Sequence, residues 1–484
     1  MRHWLQKAWN SPSLTTWTSL ALRAGGAVIT IPILLSSLSP VEVAVWYLLV
    51  TLLNIAQLLD FGFAPTITRA TAYAIAGKRL NLENEYQTQQ SSASKAPTET
   101  LLGALVVSAR QIYVRIALVA LGVATVLGLI LLQAPIAKLP APYHGYIALA
   151  VSLAAVPVLI ANSGLVALLQ GVGHVALIRR WDSGFLLASI ASTFIVLKLG
   201  GSLQLLAIST QFWNAISLIR SILIFRKWFP EHHRFTNVDP VVLDCRARIW
   251  PAAWKYGLGI VLYSGSLQAS GLIYAQFGTP VGVASYMVAM QILNLLKTTS
   301  QAPFQSRIPI LATQYAQNNI QGMLTLARKA AVQSYWAFTL PFIFIAIAAP
   351  SILQSIGSKT PFVGSTMWGL MGAGALIERL GGTHQQLLSL SNKISAHIAG
   401  IGFAVVYTIL LVVLSKNLNV YAFPLAIIGG HLAFFTPYSL LKSRDQFPLE
   451  GKSFDWNTFG PCIITMLCSL TLIALVNHYS YLLK

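Results

Sequence analysis

An all-helical, polytopic membrane bundle of two similar halves is the fold class this sequence predicts, and three observations predict it. Apolar residues make up 55% of the 484 and charged residues 9%, with a mean hydropathy of +0.66, a balance soluble globular domains do not reach. Apolar runs, each near the ~20 residues that cross a bilayer as a helix, lie near 15–36, 41–62, 111–133, 144–169, 182–199, 202–225, 252–274, 281–303, 330–350, 362–387, 394–414, 419–441 and 459–478. Finally, the chain matches itself at an offset of roughly 240 positions, about half its length, far above the periods of solenoid repeats.

The repeat begins in the first span. Leu22 pairs with Leu262, Gly25 with Gly265 and Ile33 with Ile273. The turn Pro40-Val41-Glu42-Val43-Ala44 then falls on Pro280-Val281-Gly282-Val283-Ala284, and Leu53-Asn54 on Leu293-Asn294. Pro and Asn are uncommon in apolar spans, so their coincidence at one offset outweighs chance matching among apolar residues. Six spans separate the copies, so both enter the membrane in the same direction, the pattern of a parallel-repeat transporter.

The net charge of +19 is read from its placement. Alternate connections carry the Lys and Arg: Arg2 and Lys7; Lys78, Arg79, Lys95 and Arg110; Arg179 and Arg180; Arg226 to Arg248; Arg307, Arg328 and Lys329; Lys393; and Lys442, Arg444 and Lys452. The intervening links hold one basic residue or none. By the positive-inside rule the N-terminus is cytoplasmic, and nucleic acid is a poor second explanation. Met1 to Pro12 reads as an interfacial helix with Trp4 and Trp9 in the headgroups. Cys245, Cys462 and Cys468 have neither metal-ligand spacing nor the even number of a disulfide framework.

These signals divide the chain into a six-helix lobe over 1–225, a cytoplasmic linker over 226–250, a six- to seven-helix lobe over 251–441, and a cytoplasmic loop with an extra helix over 442–484. Ala76 to Thr100 reads as a polar loop and Thr313 to Arg328 as an amphipathic surface helix. Pro32, Pro157, Pro341 and Pro424 fall inside spans and favour kinks, while Gly369, Gly372, Gly374, Gly381 and Gly382 allow close approach of the tenth span.

Charges at membrane depth are costly and mark sites or partners. They are Arg23 in span one, Asp60 closing span two with Arg69 beyond, Arg220 late in span six, Lys255 opening span seven, Lys297 in span eight, and Glu378-Arg379 in span ten with His384 after them. Cations outnumber acids, which suits an anionic substrate, phosphate above all. Snorkelling also accounts for Arg220 and Lys255, and an ion pair with Arg69 accounts for Asp60. Glu378 and Arg379 point about 100° apart on a helix, so one is expected to pair with another helix.

Arg23, the Leu58-Leu59-Asp60-Phe61-Gly62-Phe63 stretch, Arg69 and the two six-span halves make the sequence similar to the Wzx-type polysaccharide-lipid flippases of the multidrug/oligosaccharidyl-lipid/polysaccharide exporter superfamily. That resemblance implies 12 to 14 transmembrane helices in two lobes around a central cationic cavity, in a bacterial inner membrane. It further implies export of a polyprenyl-diphosphate-linked glycan by alternating access, with no bond made or broken. Carried over by position, it suggests Arg23, Lys255 and Lys297 as cavity cations. With the deep cations Arg379 and Arg220 they form the expected headgroup-binding set, and Asp60, Glu378 and Arg69 the expected coupling or gating set. No cofactor or metal is expected beyond coupling to a proton or sodium gradient. Expected partners are the lipid-linked glycan, membrane lipids and polysaccharide polymerase or chain-length machinery, around a monomer. A cation antiporter of the same superfamily would be expected to place carboxylates in its cavity, whereas the first span has Arg and no acid. A membrane glycosyltransferase or polymerase would need an external loop larger than any here.

Overall fold

The computed structural model describes residues 12–60, 62–75, 98–229, 240–390, 396–447 and 451–482; among them the chain is almost wholly helical and contains no strand. Every apolar run named above falls on a helix. The first half contains α1 (Pro12–Ser37), α2 (Pro40–Leu58), the short α3 (Phe63–Ile75), α4 (Thr98–Leu131), the single turn α5 (Gln133–Ala137), α6 (Pro142–Gly171), α7 (Val175–Lys198) and α8 (Leu203–Trp228). The second contains α9 (Pro240–Tyr274), α10 (Pro280–Ser300), the short α11 (Ala302–Gln305) and α12 (Ile308–Ala316), then α13 (Ile320–Ser355), α14 (Ser365–Leu390) and α15 (Ala396–Leu418). A broken rod follows, α16 (Ala422–Gly430) leading through a π turn at His431–Phe435 into α17 (Thr436–Gln446), before α18 (Gly451–Leu482).

Among the described residues nine helical stretches are long and apolar enough to cross a membrane, with α15 to α17 joined as one. The apolar part of α1, Ala21–Ser37, is shorter. The chain is thus a multi-pass membrane protein.

The internal repeat has a physical basis in how helices start. Both α2 and α10 open on proline, whose fixed φ and missing N–H suit the first helical position. Ser39 before Pro40 forms a capping box: Glu42 Oε2 accepts from its backbone N–H at 2.9 Å and its hydroxyl at 2.7 Å. In the second copy Thr279 caps Pro280 by accepting from the N–H of Gly282 at 3.2 Å. Glycine stands where the first copy has Glu42, so the second cap lacks the reciprocal bond.

Two compact units result, one of Leu48–Gln268 with the described start of α1 up to Thr30, the other of Ile31–Tyr47 with the residues from Ala269 onward. Within the first, α6 is the central rod, packed against α3, α4 and α8, with α7 on α8. Gly171 lets α6 meet α3 at van der Waals range; a Cβ there would lie 2.5 Å from Thr71 Cβ and 2.8 Å from the carbonyl oxygen of Thr68. Within the second, α14 packs on α17, α13 on α18, and α15 on α16. Of the tenth-span glycines, Gly372 and Gly381 make the close approaches expected of them, whereas Gly382 faces open space. A Cβ on Gly372 would enter the ring of Phe342, which stacks on the buried Trp368 at 4.6 Å, and one on Gly381 would meet Phe435 at 2.7 Å.

Two boundaries differ from the sequence reading. Helix extends through 226–228 and 240–250, so both ends of the linker read over 226–250 are helical, while 230–239 lie outside the described residues. The surface helix read over Thr313 to Arg328 is broken at Gln317–Asn319, where Asn318 takes φ 57° and the Asn319 side chain caps α13 by accepting from Gly322 N–H. Its apolar face is not at a surface either: Met323 and Ala327 join Leu311, Tyr335, Leu387 and Cys462 in a buried cluster. The interfacial helix at Met1 to Pro12 and the loop from Ala76 lie, apart from their last residues, outside the described residues.

Candidate functional site

Polar chemistry is concentrated at three places, two in the first unit and one in the second. The first is the turn joining α2 to α3. Gly62 takes φ 70°, a left-handed conformation glycine adopts without steric cost, and Phe63 N–H closes the turn on Asp60 C=O at 2.8 Å. Leu59 and Phe63 are buried, and the Phe63 ring lies 5.5 Å from Trp250 of α9. This geometry aims the half-buried Asp60 carboxylate inward. Tyr113 of α4 donates to Oδ1 at 2.9 Å and Ser163 of α6 to Oδ2 at 2.8 Å. Among the described residues these two hydroxyls, with the backbone N–H of Ala64 and not Arg69, are the partners of the Asp60 carboxylate; Arg69 is exposed on α3.

The second place lies between α7 and α8. Arg220, 6% exposed, donates to Asp182 Oδ1 at 2.9 Å, Ser217 Oγ at 2.9 Å and the carbonyl of Ile178 at 3.2 Å, and sits over the Phe185 ring. Ser221 carries the network on to Asn162 of α6 at 2.7 Å. A buried guanidinium is tolerated where its donors are met, and this one is engaged by protein rather than snorkelled to water.

The third place is α14, whose successive polar residues each reach a different helix. Glu378 Oε2 pairs with Lys297 Nζ of α10 and lies 4.0 Å from His431 Nε2 in the π turn. Arg379, 7% exposed, donates to the carbonyl of Lys297 and to Ser300 Oγ. Lys297 belongs to the last turn of α10, where carbonyls have no intrahelical partner and a cation is favoured by the helix dipole. Both members of the Glu378-Arg379 pair therefore bind α10, one through charge and one through backbone. One turn on, buried His384 holds Ser443 of α17 at 2.5 Å and Asp455 of α18 at 2.9 Å, while Arg444 takes the other Asp455 oxygen at 2.6 Å. This arrangement tethers α18, the helix of the last apolar run, to the rest of its unit.

Arg23 stands apart. It is exposed on α1, two residues into the apolar stretch, and the Cα of Gly25 beside it faces open space. Among the described residues it has no protein partner. Lys255 lies within α9, with its side chain outside the described residues. The structure thus joins Lys297, Glu378 and Arg379, and holds Arg220, Asp60 and Arg23 at separate positions. Sequence reasoning missed Asp182, Tyr113, Ser163, Ser300 and Asp455. Only Asp182 and Asp455 carried a signal, as acids close to the ends of apolar spans in a chain with 13 acids in all.

These features define a polytopic helical membrane protein of two units, each with a half-buried carboxylate on its own polar network. No protein-family model matches the chain, and no curated protein matches its sequence. Solved structures do match. The inward-facing conformation of a multidrug resistance MATE family transporter of the MOP superfamily aligns with TM-score 0.63 at 15% identity, over 87% of this chain and 94% of that one. The lipid II flippase MurJ, in its inward closed conformation, aligns with TM-score 0.58 at 12% identity, over 98% and 99%. A MOP superfamily transporter from Pyrococcus furiosus, described as having a binding pocket of reverse polarity, aligns with TM-score 0.59 at 13% identity, over 91% and 97%. The chain shares the fold of MOP superfamily transporters, a helical bundle of two lobes.

Proposed function

We propose that this protein flips a polyprenyl-diphosphate-linked oligosaccharide from the cytoplasmic to the outer leaflet of a bacterial inner membrane by alternating access. The observation that carries the reading is Arg23: an exposed guanidinium without a protein partner, on a helix with no Asp or Glu, at the start of its apolar stretch. A lipid diphosphate lies at that depth, and a guanidinium offers it a bidentate fork. The lipid II flippase, matched nearly end to end, supports a lipid-linked substrate. The polyprenyl chain stays in lipid while the headgroup is passed across, and no bond is made or broken.

In a fluorescence-quench assay on proteoliposomes carrying a labelled polyprenyl-diphosphate oligosaccharide, wild type is expected to flip the lipid. Arg23→Ala is expected to slow it by roughly tenfold or more, the worth of a charge-assisted hydrogen bond, at unchanged thermal stability. Lipid that stays put with wild type would sink the reading.

A second reading, a cation-coupled drug exporter, is favoured by Asp60, a carboxylate held ready by two hydroxyls. It predicts that wild type extrudes a cationic dye under an imposed proton or sodium gradient, and that Asp60→Asn abolishes the extrusion.

A further inference from the structure

Helices α4 and α9 are 34 and 35 residues long, or roughly 50 Å each at 1.5 Å per residue, and all of α9 up to Gln268 belongs with α4 in the first unit. A hydrocarbon core of about 30 Å cannot cover either whole, and Arg110 and Arg115 of α4 and Arg246 and Arg248 of α9 stand before or at the start of the long apolar run of each helix. The two segments are fastened together. Ser108, fully buried, donates to the carbonyl of Val242 at 3.0 Å, and Arg246 Nη1 donates to Gln111 Oε1 at 3.0 Å. Beside these two bonds lies a cleft of about 430 Å³ lined by Arg110, Gln111, Val114, Arg115 and Arg246.

Four of those residues occupy one face of α4, within about 140° of one another, and Arg246 faces them from α9. Arg110 and Arg115 are exposed and, among the described residues, have no protein partner. No lining residue is acidic. Three guanidiniums gathered in one cleft without a carboxylate repel one another, a cost that an anion removes. Phosphate matches best, since several forks converge on its oxygens. The one apolar lining residue, Val114, is 53% exposed and supplies the apolar wall that an inorganic anion would not need. The volume suits a headgroup with its glycerol, within the range of small-molecule sites.

We propose that the cleft between α4 and α9 binds the phosphate headgroup of an anionic membrane lipid, held by Arg110, Arg115 and Arg246 with its chain running along Val114. This assignment does not rest on which lipid the protein transports. It identifies a resident or regulatory lipid site at the surface of the first unit, on the same stretch of α4 as Tyr113, the hydroxyl partner of Asp60.

The test is native mass spectrometry of the full chain in a neutral detergent, titrated with phosphatidylglycerol or with phosphatidylcholine of the same acyl chains. Wild type is expected to retain one phosphatidylglycerol in preference to phosphatidylcholine. Arg110→Gln with Arg115→Gln is expected to weaken that retention by roughly tenfold or more, from about 1 kcal/mol per basic side chain at a membrane surface. Neither side chain holds a protein partner, so the thermal midpoint should not move, and Arg246→Lys should keep most of the retention. Equal retention of the two lipids, or a double variant indistinguishable from wild type, overturns the site. Displacement of the lipid by millimolar inorganic phosphate overturns the lipid assignment in favour of a soluble phosphate ligand.

Discussion

Replacing Arg220 with alanine is expected to destabilise the first unit by about 3–5 kcal/mol, the cost of leaving one member of a buried ion pair alone. The guanidinium binds Asp182, the Ile178 carbonyl and Ser217 together, so its loss strands a carboxylate and frees the α7–α8 contact at once. The double variant Arg220→Met with Asp182→Leu should recover most of that loss, because both charges go together. Thermal unfolding of the purified protein in detergent checks this. A single variant as stable as wild type would show that Asp182 finds other solvation, and would return Arg220 to the set available for a substrate.

Lys297→Met is the second large effect. It leaves Glu378 without its cation, and the expected cost is about 2–3 kcal/mol, below that of a fully buried pair because both side chains keep 17–18% exposure. Lys297→Met with Glu378→Gln should restore stability. Lipid flipping separates structure from mechanism. If the pair only holds α10 to α14, the stable double variant transports at the wild-type rate; if the charges act in transport, it remains defective. A double variant as unstable as Lys297→Met alone would mean that the cost comes from lost packing of the lysine stem.

The architecture was legible because its signals are one-dimensional. An apolar run of bilayer length needs no partner to be recognised, and each of them is helical. Proline at the start of α2 and α10 carried the repeat for the same local reason. The sites were legible only by type. Arg220 and Arg379 announced themselves as cations in apolar spans, but their partners sit on other helices, 38 and 79 residues away. The reading that offered Arg69 to Asp60 preferred a neighbour in sequence. The turn at Gly62 instead directs the carboxylate to Tyr113 and Ser163, 53 and 103 residues along. Which of two adjacent charges on α14 would find a partner was open in the sequence; the last turn of α10 satisfies both, Glu378 through the Lys297 ammonium and Arg379 through the Lys297 carbonyl and Ser300 hydroxyl.

The π turn at His431–Phe435 sets the angular phase of the rod that contains it. Residues four apart on an α-helix drift about 40° round its axis, so a series of every fourth residue soon leaves the face it started on. The wider turn, with its i→i+5 bonding, cancels that drift at the head of the series. His431 beside Glu378, Ser439 beside Gln385 and Ser443 beside His384 thus stay along one stripe against α14. One extra residue of backbone acts as a vernier, letting a single helix address both the charged middle of α14 and its histidine end.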